Sequence, residues 1–273
     1  MSMISEMLSY PFVVRALVGG ILVSLCCALL GVSLVLKRYS MIGDGLSHVG
    51  FGALAVAMAF HWAPLPVAIP AVVVAAFLLL RLSENSKIKG DSAIALIASS
   101  SLAIGVTVIS LASGQNADVY SYMFGSILAM KESDVYVSIA LSVVVLILFI
   151  VFYNKIFAVT FDENFAKATG TRANLYNMLI ALLTAVTIVV GMRIMGTMLI
   201  SSLIIFPALS AMRIFRQFRS VVIASAVISI ICFFIGLVAS YAFSTPTGAS
   251  IVIVNLIVFL LCFAAGLIRK KAA

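Results

Sequence analysis

Runs of about 20 apolar residues, each closed by charged or turn-forming residues, recur along this chain, and about 20 residues of helix cross roughly 30 Å of hydrocarbon. The spans read as approximately Phe12–Leu36, Leu46–Phe60, Leu65–Leu82, Ser92–Ala112, Asp134–Phe152, Leu175–Val190, Met195–Met212, Val221–Phe243 and Gly248–Ile268. Such a pattern predicts an all-α, polytopic bundle of about nine spans. Composition agrees: 64% of the residues are hydrophobic and 10% charged, with a mean hydropathy of +1.28, whereas a soluble domain carries about 25% charged residues. No period of 20 to 50 residues repeats, and the longest loops are about 20 residues against about 50 for a small domain, so the 273 residues read as one transmembrane domain.

Charge sets the orientation. Alternate loops hold Lys37 and Arg38; Arg81, Lys87 and Lys89; Lys155, Lys167 and Arg172; Arg213, Arg216 and Arg219; and the tail Arg269, Lys270 and Lys271, fourteen of the seventeen basic residues. The other side keeps Arg15, Lys131 and Arg193. Basic loops stay inside, which predicts a cytoplasmic C-terminus and an outer N-terminus. Topology thus accounts for the net charge of +8, and no nucleic-acid partner is implied. Met1 to Tyr10 holds Glu6 and no basic residue, unlike a cleavable signal. The four cysteines fall inside spans, where they pack as small apolar residues. Cys26 and Cys27 are adjacent and point about 100° apart on a helix, so they cannot both face one ion.

Gly43-Asp44-Gly45-Leu46-Ser47-His48 places a carboxylate and an imidazole four residues apart, on one face of a helix. Ionisable side chains in a membrane mark a pathway or an ion site. Imidazole and carboxylate suit Zn²⁺ or Mn²⁺ rather than copper(I). The competing reading has Asp44 capping the helix and His48 bonding a nearby carbonyl. Depth is a second question: a helix starting at Lys37 would carry Asp44 inward by about 9 Å.

The segment from Asn154 to Arg172 is expected to be cytoplasmic. Thr160-Phe161-Asp162-Glu163 fits a capping box and Gly170 a helix stop, enclosing about two and a half turns with Phe161 and Phe165 on one face. So short a helix is marginal alone and would dock in a groove on another protein, or lie on lipid. The chain has no Gly-Lys pair, which excludes a phosphate-binding loop, and its two histidines lie in distant surroundings, which disfavours a zinc metalloprotease. Among weaker candidates, Met192, Met195 and Met198 recur every third residue, as packing or as soft ligands. His61 beside Trp62 marks an interface or attracts metal. Pro207 predicts a kink, Asn255 a bond across helices, and Tyr120, Tyr122, Phe124 and Asp118 an outer anchor or docking surface.

Together the ordered runs Tyr10-Pro11-Phe12 with Arg15-Ala16, Leu36-Lys37-Arg38, Ile42 to His48, Phe124 to Leu128, Phe161-Asp162 with Ala166 and Gly170, Ile204 to Ala208 and Pro246 to Ala249 resemble the membrane permease of the zinc and manganese uptake ABC transporters, zinc permeases most of all. The resemblance covers nearly the whole chain; Lys37 departs from it, arginine being common there. It implies a homodimer in a prokaryotic cytoplasmic or inner membrane, fed by an extracytoplasmic metal-binding protein and driven by a cytoplasmic ATP-binding subunit. Phe161, Asp162, Phe165, Ala166 and Gly170 would then belong to a coupling helix, and Asp44 and His48 would line the metal path. No permanent cofactor is implied: Zn²⁺ or Mn²⁺ is cargo and ATP sits on the partner. The rivals are a self-sufficient metal or proton-coupled secondary transporter, and an intramembrane enzyme using the Asp and His as acid and base.

Overall fold

A computed structural model describes residues 9–85, 90–112 and 132–272. Among them are eleven helices: α1 (Pro11–Leu36), α2 (Ile42–Ala59), α3 (Pro64–Asn85), α4 (Gly90–Leu111), α5 (Glu132–Val151), α6 (Tyr153–Phe161), α7 (Glu163–Ala168), α8 (Ala173–Met195), α9 (Thr197–Ile214), α10 (Phe218–Phe243) and α11 (Thr247–Ala272). In a medium that offers no hydrogen bonds each helix satisfies its own backbone. Seven of them are long and apolar enough to cross a membrane, or eight if α5 and α6 are one span bent by 70°. The span expected over Met195–Met212 falls mostly on α9, whose apolar part, Leu199–Ile214, is shorter and is not among them.

The centre of the bundle is α1, which packs against α5, α8, α9 and α10. Small residues let its neighbours approach closely. A Cβ on Gly31 would lie 2.0 Å from the Ile204 carbonyl oxygen of α9, and one on Gly20 would fall within the Phe233 ring of α10. Polar contacts join the same surfaces: Ser225 Oγ donates to the Ala28 carbonyl at 3.2 Å and Ser229 Oγ to the Ser24 carbonyl at 2.9 Å. At the edge, α4 lies against α2 and has 17% of its apolar window buried, against 72% for α1.

Lys37 at the close of α1 contacts Glu163 and Asn177, and Phe218, next to Arg219, meets Tyr153 and Phe157 of α6 with tilted rings. At the opposite end of α1, Arg15 pairs with Glu132, joining the starts of α1 and α5.

Several local expectations change. The segment 154–172 is two helices, because Asp162 is extended (φ −148°) between α6 and α7. Thr160 is therefore not a cap: it is buried within α6, and Asp162 caps α7 by accepting from the Phe165 N–H at 2.9 Å. Phe161 and Phe165 are consequently on different helices. The stop at Gly170 is observed, with φ +81° and open space around the α-carbon, and the Thr171 and Gly170 N–H groups close α7 onto the Ala166 and Lys167 carbonyls.

Elsewhere α8 continues to Met195, so Arg193 is a buried residue of its last turn, where the helix dipole favours a cation. Gly196, at φ +91°, alone separates α8 from α9. Pro207 lies inside α9. Asn255 donates to Ile251 of its own helix at 2.9 Å and leaves its carbonyl oxygen unpartnered, in place of the expected bond across helices. All four cysteines are free thiols.

Candidate metal site and candidate docking segment

The turn between α1 and α2 fixes where Asp44 enters the bundle. Lys37 is the C-cap of α1, so α2 does not begin there. Arg38 adopts a left-handed φ of 60°, its N–H bonded to the Val35 carbonyl at 3.1 Å and that of Tyr39 to Leu34 at 2.8 Å. This is the Schellman closure that glycine usually makes. Helix α2 starts at Ile42, which puts Asp44 in its first turn, where the macrodipole favours a negative charge. Asp44 does not cap the helix: Met41 holds that position without a side-chain bond.

His48 Nε2 stands 3.7 Å from Asp44 Oδ2, with 18% of the imidazole and 38% of the carboxylate side chain exposed. His48 Nδ1 is buried without a hydrogen-bond partner, so the reading in which it bonds a carbonyl is not met. Both side chains line an open cavity of about 260 Å³ with Met41 of the turn and Ile94, Ala98 and Ser99 of α4. Close helix approach shapes its wall. A Cβ on Gly45 would meet Ile94 Cγ2 at 2.6 Å, and one on Gly52 the Ser101 carbonyl oxygen at 2.7 Å. No group of three or more His, Cys, Asp or Glu able to hold an ion occurs among the described residues. Asp44 and His48 thus stand together without a third such side chain among the described residues.

The methionines do not join them. Met192 and Met195 are fully buried in the core, and Met192 Sδ occupies the space a Cβ on Gly50 would need, 2.8 Å away. Packing is their role; the Met198 side chain lies outside the described residues. His61 sits at the far end of α2 with φ 55°, between Phe60 and Trp62, whose exposed rings stack at 5.2 Å. The segment carrying Asp118, Tyr120, Tyr122 and Phe124 to Leu128 lies outside the described residues.

At the basic end, α6 and α7 present two exposed aromatic rings, Phe161 and Phe165, 71% and 66% accessible, while Ala166 is buried beneath them. The polar side of α7 is anchored by contacts that sequence reasoning missed. Glu163 bonds Lys167 at 2.8 Å, one helical turn on, Lys37 at 3.3 Å, and accepts from Asn177 Nδ2 at 3.0 Å. Lys37 also donates to Asn177 Oδ1. Burial alone would raise the Glu163 carboxyl, but the bonds from Lys167 and Asn177 and the Lys37 ammonium outweigh it and hold it near 2. The one available signal was Asn177, an amide at the start of an otherwise apolar span.

The ABC 3 transport family matches residues 9–266. The chain is 30% identical to the high-affinity zinc uptake system membrane protein ZnuB of Haemophilus influenzae, over 86% of this chain and 90% of that one. It is 28% identical to the manganese transport system membrane protein MntC of Halalkalibacterium halodurans, over 90% and 84%. Its fold matches the solved structure of PsaBC from Streptococcus pneumoniae in complex with Fab, with a TM-score of 0.85 and 29% identity over 96% of this chain and 95% of that one. Two of these relatives are named as membrane proteins of a zinc uptake system and of a manganese transport system, and this chain belongs to the ABC 3 transport family.

Proposed function

We propose that this chain is the permease subunit of an ATP-driven importer for a divalent transition metal ion, zinc or manganese, and that Asp44 and His48 contact the ion in transit. The observation that carries the reading is the paired carboxylate and imidazole facing an open cavity, in a family whose relatives are named for zinc or manganese transport. Nitrogen and oxygen donors suit either ion. Two ligands per chain make a weak half-site, and two copies of the chain bring two Asp and two His to one axis as an N₂O₂ set. Such a site attracts the ion and still releases it.

In this reading the permease is one transmembrane domain of about nine spans with α9 included, working as a homodimer in a prokaryotic membrane with its basic loops and C-terminus in the cytoplasm. An extracytoplasmic metal-binding protein delivers the ion. A cytoplasmic ATP-binding subunit receives Phe161 and Phe165 in a groove, Asp162, Ala166 and Gly170 hold the docking helix in shape, and ATP-driven closure exposes the Asp44 and His48 site to each side in turn. The chain has no cofactor of its own and is not an enzyme.

The test is uptake of radioactive zinc and manganese by cells that express this chain with its ATPase and binding protein, comparing wild type with Asp44→Ala, His48→Ala and Phe161→Ala. ATP-dependent uptake is lost in all three variants at unchanged membrane levels, and the isotope ratio identifies the ion. Uptake that persists without an ATPase would point to a secondary transporter instead.

A further inference from the structure

The Lys37, Glu163 and Asn177 cluster sits where three parts of the molecule meet. Glu163 is the first residue of α7, between the two exposed phenylalanines. Asn177 lies in the first turns of α8. Lys37 closes α1 and opens the turn leading to α2, seven residues before Asp44. The Lys37 side chain is only 9% exposed, and its ammonium meets both the Glu163 carboxylate and the Asn177 carbonyl oxygen. Asn177 closes the ring by donating to Glu163, which also holds Lys167. A surface pair would slide when pushed, whereas a largely buried, mutually bonded set transmits displacement.

The turn it grips is suited to move. Arg38 holds a left-handed conformation that a side chain rarely adopts, and a small void of about 10 Å³ lies beside the turn, bordered by Lys37, Tyr39, Leu34, Ile42, Leu80 and Asn177. The void has room for about one water molecule. Ile42 on its border is the first residue of α2, so a shift of Lys37 is passed to the first turn of the helix that carries Asp44.

We infer that Lys37, Glu163 and Asn177 are positioning residues that clamp the cytoplasmic segment α6–α7 to the α1–α2 turn, so that movement imposed on Phe161 and Phe165 by a partner is delivered to Asp44. This rests on the importer reading above. It adds a specific mechanical link: the segment binds its partner through the aromatic rings and acts on the metal site through Lys37.

The experiment uses the complete complex of this chain, its ATPase and its binding protein in proteoliposomes, and counts zinc or manganese ions imported per ATP hydrolysed. The variants are Lys37→Met, Glu163→Gln and Lys37→Arg. Glu163→Gln keeps the shape and hydrogen-bonding oxygen of the side chain, so it tests charge without removing packing. Lys37→Met and Glu163→Gln keep the ATPase bound and hydrolysing, but ions per ATP fall by about 2- to 30-fold, the range over which residues that couple distant sites act. Lys37→Arg, which preserves the charge, retains most of the wild-type ratio. An unchanged ratio in both Lys37→Met and Glu163→Gln overturns the clamp alone, as does loss of the ATPase from those complexes, which would make the cluster a support for docking only. A wild-type complex without ATP-dependent import overturns the clamp and the importer reading together.

Discussion

The two polar clusters of this molecule are built in opposite ways. Around Glu163 each charge meets a partner: two ammonium groups and an amide converge on one carboxylate, within 3.3 Å or closer. Around His48 the pairing is loose, 3.7 Å from Asp44, with a buried ring nitrogen left unbonded and a cavity of about 260 Å³ in front. A satisfied cluster contributes to the fold, and a half-satisfied one costs stability. The second arrangement is what a transient ion site requires, because ligands committed to internal bonds have nothing to offer a passing cation.

The sharpest way to break this comparison is to remove a member of each cluster and ask which property fails. His48→Ala lowers metal uptake by at least about 100-fold, since even outer-shell partners of metal ligands are worth about 10- to 100-fold, while its thermal stability in detergent stays within about 0.5 kcal/mol of wild type, as expected where no hydrogen bond is lost. A drop in melting temperature comparable to that of the Glu163 variant would show the metal pair to be structural. Glu163→Ala has the reverse signature: it leaves Lys37 without its anion and costs about 2–3 kcal/mol, less than the ~3–5 of a fully buried pair because Glu163 is one-third exposed. Its measure is denaturation of the purified protein.

Asn177→Ala removes only neutral links and costs about 1–2 kcal/mol, less than the ~1.5–3 kcal/mol of each hydrogen bond to a charged group because Lys37 and Glu163 keep each other and Glu163 is one-third exposed. Gly170→Ala is expected to cost about 1 kcal/mol because φ is +81° there and a side chain resists that conformation; nothing crowds the position, so a larger loss would mean that Gly170 is needed for more than its backbone. The smallest effect concerns pH. Glu163 is held near 2 against an ordinary 4.5, so its contribution is fully present above 4.5 and fades as pH falls toward 2. The melting-temperature gap between wild type and Glu163→Gln should stay constant from neutral pH to 4.5 and narrow below it; narrowing near neutrality would contradict the charge network.

Much of this molecule was legible before any coordinates. Long apolar runs specify helices because lipid leaves the backbone no other bonding partner. The spacing of Asp44 and His48 guaranteed a shared face, since four residues are about one turn, and Gly170 ended its helix because only that residue takes a positive φ freely. These are short-range or compositional properties, carried by neighbours in the chain.

Packing decided the remainder. Lys37 finds Glu163 and Asn177 across 126 and 140 residues, a distance over which no local pattern operates. Asp162 displaced Thr160 as the cap because α6 packs against α8 and α1 and carries Thr160 inside. The cavity before His48 exists because Gly45 and Gly52 bring α2 against α4 while the side chains around Asp44 leave a gap. Hydrophobicity and helical period are local, and they suffice to make this chain a helical membrane protein with an Asp and a His on one face. That the pair stays open while Glu163 is closed is a matter of packing, because satisfying a charge depends on which distant helices arrive beside it.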